Sequence, residues 1–277
     1  MASPLIRKAY LDTKYGQLHY RYAIPSDTHK GTIVFLHQSA TSSASLVKLV
    51  DQFSAQGYAC YAPDMPGFGQ SDDPPDFAVE EIKSLGTRWY VDLYVWAFAE
   101  LDLSNFHIIG HHTGASLATE MAAIKPEVVK SICLIGTSVM TAAERAEMKA
   151  QFFDPFNKPV PDGSHLQKTW DYVAKLGGDG DLEVHQQAAI DHIRAWKGRN
   201  QIYGAIWDQD KEKYIKEVKC PVIAMCAKDD VLWPYFKHIR RVREDIPMVE
   251  IKGAAYSPEL DVEGVVAACM PVIEAAA

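Results

Sequence analysis

The chain has 277 residues, of which 48% are hydrophobic, 10% aromatic and 23% charged, a globular make-up that excludes disordered, collagen-like and low-complexity classes. Lys and Arg number 28 against 36 Asp and Glu, a formal net charge of −8. With no basic run on such a chain, nucleic acid and anionic membrane surfaces are excluded as partners. No apolar stretch approaches the ~20 residues of a membrane-spanning helix. The N-terminal Met1–Lys8 lacks an apolar signal core, so an unprocessed cytoplasmic protein is expected. Of the five cysteines, Cys60, Cys133, Cys220 and Cys226 lie in or beside apolar runs. None shows metal-binding spacing, and free buried thiols are expected.

In chain order, Ile6–Leu11 and Gln17–Ala23 read as two strands joined by a turn at Lys14-Tyr15-Gly16. Leu18, Tyr20 and Tyr22 alternate with polar residues, as in an antiparallel edge hairpin. Thr32–Leu36 is a continuous β-branched and apolar run, as are Tyr58–Ala62, Phe106–Ile109, Ser131–Ile135, Val222–Cys226 and Met248–Ile251. Such runs fit strands buried on both faces of a parallel sheet. Between them, helical spacing predicts helices over Ser43–Gln56, Glu80–Leu101, Thr113–Lys125, Pro234–Asp245 and Val262–Ala276. Strands alternating with helices define an α/β fold.

Residues 138–219 break this rhythm. They hold helix formers, aromatics such as Trp170, Tyr172, Trp196, Tyr203 and Trp207, and no strand-like run. They read as a helical cap inserted into a core formed by 1–137 and 220–277. His165, His185, His192 and His238 are expected to be solvated.

The run Phe106–Ile109 leads into Gly110-His111-His112-Thr113-Gly114 and then a helix. Strand, G-x-x-x-G and helix in that order describe a nucleophile elbow, whose two glycines let the turn tighten until its middle residue projects. That residue is His112. The Thr113 amide then opens a helix, where a backbone N–H can stabilise an oxyanion. His111 is expected to face away from His112 and pack under the sheet end.

On these residues the chain resembles the α/β-hydrolase fold superfamily, in its branch with a helical cap. Thr32–His37 is similar to that family's third strand. Pro63–Asp72 is similar to its D-x-P/R-G-x-G-x-S segment, where Asp64 is read as structural. Ala227–Pro234 is similar to its acid turn, with Asp230 at the acid position and Asp229 as the neighbouring alternative. The resemblance implies an eight-stranded, mostly parallel sheet and a cofactor-independent enzyme for a small-molecule substrate. It also makes Ser39 N–H the second oxyanion donor beside Thr113. Gln38 and Trp233 are the adjoining candidates for substrate contact, and His37 reads as a satisfied strand-end histidine.

Two positions depart from the family pattern. The elbow carries His112 where Ser, Cys or Asp is usual, and Tyr256 stands where the catalytic histidine falls. Ser-His-Asp chemistry is therefore unavailable, and Tyr256 is a poor base, with a reference pKa of about 10. The helix N-terminus disfavours an imidazolium at His112, while Asp230 favours it. An imidazole between them is a candidate general base, with Tyr256 orienting it or donating a proton. This suits proton abstraction beside a carbonyl, retro-aldol or elimination chemistry, isomerisation, cyclisation or attack by an activated water. A ligand-binding protein with a decayed triad is the alternative. The adjacent His111 and His112 suggest no third metal ligand, so no metal is expected. A homodimer is left open.

Overall fold

The alternating opening runs and the unbroken apolar runs that follow join a single sheet. The computed structural model describes residues 4–26 and 29–276, so Met1–Ser3 of the N-terminal segment lie outside the described residues. β1 (Arg7–Thr13) and β2 (Gly16–Ala23) form the edge hairpin, with Thr13 opposite Gly16. β2 runs antiparallel to β4 (Ala59–Pro63). β3 (Thr32–Leu36), β5 (Phe106–His111), β6 (Val129–Ile135), β7 (Val222–Ala227) and β8 (Met248–Ile251) are parallel, and the strand order is β1-β2-β4-β3-β5-β6-β7-β8.

Successive side chains of a strand point to opposite faces. Ile33 and Phe35 of β3 and Ile109 of β5 enter one core with Phe53 of α1 (Val47–Ala55) and Cys269 of α13 (Val262–Ala275). Val34, Leu36 and Ile108 enter the other, with Phe98 of α3 (Thr87–Glu100) and Leu117 of α4 (Thr113–Ile124). Helices cover both faces, which is why these strands read as unbroken apolar runs. The five cysteines are free, and all but Cys220 are buried.

The long helix expected over 80–101 is two helices, α2 (Asp76–Leu85) and α3. Between them Gly86 takes φ 62° and ψ −139°, a conformation that leaves the helix and that a residue with a Cβ rarely adopts. The run from Pro234 forms two single turns, α10 (Trp233–Phe236) and α11 (Ile239–Val242). The expected helix at Ser43 starts as a 3-10 turn, Ser43–Leu46, capped by the Ser42 hydroxyl. A further turn, α12 (Ser257–Leu260), precedes α13. No helix of the described residues is long and apolar enough to cross a membrane.

Between β6 and β7 the described residues form α5 (Ala142–Phe152), α6 (Ser164–Lys175), α7 (Leu182–Arg194), α8 (Trp196–Ile206) and α9 (Lys211–Glu217), with no strand. Two of its histidines, expected in solvent, are buried. The His185 ring stacks on Trp170 at 3.7 Å and its Nε2 lies 2.9 Å from the Trp170 carbonyl. His192 Nδ1 lies 2.9 Å from the Ala188 carbonyl, and burial pushes this imidazole down to about 4. Helical periodicity shows where polar side chains fall but not whether a second helix, here α6 against α7, covers them.

Asp191 of α7 joins this insertion to the core, accepting from Ser42 Oγ at 2.8 Å and from Gln187 Nε2 at 3.0 Å. Burial raises its carboxyl, against the Ser42 bond, to about 7 from an ordinary 3.8. Between those values the folded protein holds a proton that the unfolded chain has lost, so stability falls as pH rises through that window. Asp191→Asn is expected to remove this part of the fall, on the order of a few kcal/mol. Thermal denaturation of both proteins at pH 5 and pH 8 checks it: the wild type loses more on going to pH 8.

Candidate active site

The elbow tightens because its two glycines leave no room for side chains. A Cβ on Gly110 would lie 2.5 Å from the Gly114 carbonyl oxygen, and one on Gly114 would overlap the carbonyl oxygen of Leu36. The start of α4 is thereby pressed onto β3. His112 between them takes φ 47° and ψ −104°, a strained conformation for a residue with a side chain. Its N–H donates to the Ile135 carbonyl at 2.9 Å and its carbonyl accepts from Ser116 N–H at 3.1 Å.

The imidazole meets a carboxylate. His112 Nε2 lies 2.6 Å from Asp230 Oδ2; the two side chains are 13% and 1% exposed. Asp230 Oδ1 accepts from Leu232 N–H at 2.8 Å. Because the carboxylate accepts, Nε2 carries the hydrogen, and Nδ1 has no protein partner among the described residues. Asp229 points elsewhere, accepting from Ala254 N–H at 3.2 Å. Gly136, just past β6, makes room for this pair. It has φ 57°, and a Cβ there would overlap His112 Cδ2 and stand 3.0 Å from Asp230 Oδ2.

Other expected residues fall as follows. Gln38, Ser39 and Thr113 line the cavity above His112. Gln38 Nε2 donates to the Ala255 carbonyl at 2.7 Å, and the Ser39 hydroxyl is buried without a partner. His37 Nε2 accepts from Met65 N–H at 2.9 Å, so Nδ1 carries the hydrogen and donates to the Gln38 carbonyl at 2.8 Å. Burial holds this imidazole below its ordinary value. His111 does not turn away: its ring centroid is 4.6 Å from that of His112. Burial, with His112 and His37 nearby, keeps it far below the ordinary imidazole value and so neutral.

Tyr256 and Trp233 are placed differently from expectation. Tyr256 is fully buried among Val173, Val184, Ala188 and Ala189 of α6 and α7, and its hydroxyl has no hydrogen-bond partner among the described residues. Burial, then Glu259, raises that phenol well above its ordinary value. It lies outside the cavity wall, because the insertion offers the ring an apolar seat. Trp233 packs on Phe236 against the core, while its neighbours Val231 and Leu232 face the cavity.

The cavity has an empty volume of about 830 Å³ including its open mouth. Sequence reasoning missed Gly136 and, on the wall supplied by residues 138–219, Arg145, Met148 and Lys211, while Tyr172 and Tyr203 are among the aromatics named for that stretch. Gly136 could have been found, since a glycine ending a buried strand marks a close approach. The wall residues belong to no motif.

A family model described as alpha/beta hydrolase fold matches residues 31–167. The enol-lactonase from Burkholderia xenovorans superimposes with a TM-score of 0.77 at 13% identity, over 96% of this chain and 100% of that one. The chain has the α/β-hydrolase fold. Protein ABHD8 from Homo sapiens is 25% identical over 235 residues, 83% of this chain and 49% of its own. The 2-hydroxy-6-oxononadienedioate/2-hydroxy-6-oxononatrienedioate hydrolase from Cupriavidus pinatubonensis is 30% identical over 134 residues, 46% of this chain and 43% of its own. The chain thus spans about half the length of these curated relatives. The resemblance puts a nucleophile at the elbow position, and here that position bears an imidazole.

Proposed function

We propose that this α/β-hydrolase-fold protein is a cofactor-independent enzyme that acts on a small, largely apolar carbonyl or ester compound, with His112 as general base. The reading rests on one observation: the elbow imidazole is hydrogen-bonded to Asp230 at 2.6 Å, and among the described residues no hydroxyl or thiol is bonded to it. In serine-type catalysis an imidazole faces a hydroxyl and activates it. Here the cavity hydroxyls of Ser39, Ser138, Thr113 and Ser116 have no base: that of Ser39 is unpartnered, and that of Ser116 donates to the His112 carbonyl at 3.4 Å.

His112 Nδ1 takes a proton from the substrate carbon beside a carbonyl, and Asp230 stabilises the imidazolium formed. The amides of Thr113, at the first turn of α4, and of Ser39 hold the oxygen that gains charge. The same base deprotonating a water gives the hydrolytic version. Residues 138–219 act as the cap that shields the site from bulk water, in an intracellular protein.

The test is deuterium wash-in. Benzylacetone incubated with the protein in D₂O is expected to exchange its α-hydrogens faster than in buffer, followed by proton NMR. Exchange at the buffer rate, together with no turnover of a panel of lactones, aryl esters and diketones, would show a binding protein instead.

A further inference from the structure

The cavity wall is charged unlike the rest of the molecule. The chain carries a formal charge of −8, yet no Asp or Glu is among the cavity-lining residues, which include Lys211 and Arg145. Neither cation has an ion-pair partner among the described residues. Arg145 spends one N–H on its own helix entry, Nη1 donating to the Met140 carbonyl at 3.0 Å. Lys211 sits in the first turn of α9 and makes no side-chain hydrogen bond among the described residues. Of the buried acids behind this wall, Glu120 already accepts from Thr87, Gln209 and Tyr214, and Asp230 from His112 and Leu232. Uncharged polar residues, among them Gln38, Ser39 and Gln209, share the rest of the wall with an apolar side made by Met148, Phe152, Ile206 and Trp207.

An ammonium held in a cavity wall that offers no carboxylate is costly unless something supplies the counter-charge. We propose that the substrate carries a carboxylate on an apolar body, and that Lys211 and Arg145 receive that carboxylate inside the cavity. The proposal rests on reading this cavity as the active site and names the class of molecule it takes. The body lies against the Met148 and Trp207 side of the wall, and the head group is held by the two cations. Lys211 binds as a charge and donor, with no covalent step. Its environment agrees: burial brings the ammonium down to about 8, the direction expected of a cation that lacks a partner.

The test uses hydrocinnamate and its neutral isostere hydrocinnamamide, titrated calorimetrically into the full-length protein. Hydrocinnamate is expected to bind at least about tenfold more tightly, as a charge-assisted hydrogen bond would give. Lys211→Met is expected to abolish that preference, and Lys211→Arg to keep it. Equal affinities in the wild type, no binding of hydrocinnamate, or an unchanged preference in both Lys211→Met and Arg145→Met would overturn the assignment.

Should Lys211→Met not fold, the wild type answers alone. The carboxylate preference is expected to fall as pH rises through about 8, while Lys211→Arg shows no such fall. The other titratable groups facing the cavity are His112, Arg145, Tyr172 and Tyr203, with Asp230 and Glu120 behind the wall. A pH-independent preference in the wild type would remove Lys211 from the account. The titration is repeated in His112→Ala. A preference that survives there, with no deuterium exchange in the wild type, separates failure of the chemistry from failure of the substrate class.

Discussion

Replacing His112 with alanine is expected to lower turnover by roughly 10²–10⁴-fold, the usual worth of a positioned general base, while the protein stays folded. The loss is confined to chemistry because the substitution leaves the backbone bonds of position 112 to Ile135 and Ser116 in place. Asp230→Asn is expected to fall between the wild type and His112→Ala. An amide can still accept from Nε2, but it cannot balance the charge of an imidazolium. Tyr256→Phe removes a hydroxyl that has no partner, and its effect on rate is expected to be much smaller. The double change His112→Ser with Tyr256→His restores the common family residues but not the reaction, since the new histidine would sit where α6 and α7 now hold the tyrosine ring. Initial rates on the substrate found by deuterium exchange, with circular dichroism on each variant, decide the matter. Full activity in His112→Ala would defeat the mechanism and make Ser39 the next residue to replace.

The second large effect is on stability. Asp64, at the end of β4, accepts from Ser43 N–H at 2.6 Å, from His19 Nδ1 at 2.7 Å and from Gln70 N–H at 2.8 Å. It ties β2, the turn before α1 and the loop after β4 to one carboxylate. Burial pushes its carboxyl up, but the His19 bond, the neighbouring His37 and the Gln70 amide outweigh this and bring it to about 2. Asp64→Ala strands those donors in the interior, at a cost of about 3–5 kcal/mol. A carboxyl held below its ordinary 3.8 adds stability above that pH and loses it as pH falls through about 2. Urea denaturation of wild type and Asp64→Ala at pH 7 and pH 3 is expected to show a wide gap that narrows in acid. An equal gap at both pH values would mean that Asp64 acts through packing alone.

The elbow is readable in the sequence because backbone contact dictates it: Gly110 and Gly114 admit no other residue, whatever the chemistry of the site. Asp230 is readable for a similar reason, since the turn after β7 has only two carboxylates to offer and one of them reaches His112. Tyr256 shows where such reasoning stops. Its place along the chain matches a catalytic position, but its ring follows the nearest apolar seat, which α6 and α7 provide, and nothing local to residue 256 reports those helices. Lys211 and Arg145 escape for the same reason, as they line one cavity with His112 only in the folded chain. Gly86 is the reverse case: a glycine in a helical pattern, it divides one expected helix into two.

The helical insertion is fastened to the core unevenly. Asp191 of α7 accepts from Ser42, and Arg194 pairs with Asp73 at 2.8 Å and donates to the Ser71 carbonyl. Around α9, Gln209 and Tyr214 donate to Glu120 of α4. The first of the insertion's helices, α5, has weaker ties among the described residues. Met148 packs with Leu232, and Glu144 lies 3.7 Å from His238. Its far end is held by Arg199, which donates to the Phe152 and Asp154 carbonyls. Swinging the insertion away as one body would expose a buried carboxylate and break an ion pair, while tilting α5 about its Arg199 end separates mainly apolar contacts. Any loosening of the insertion is therefore expected to begin at α5, whose ties to the core are mainly apolar.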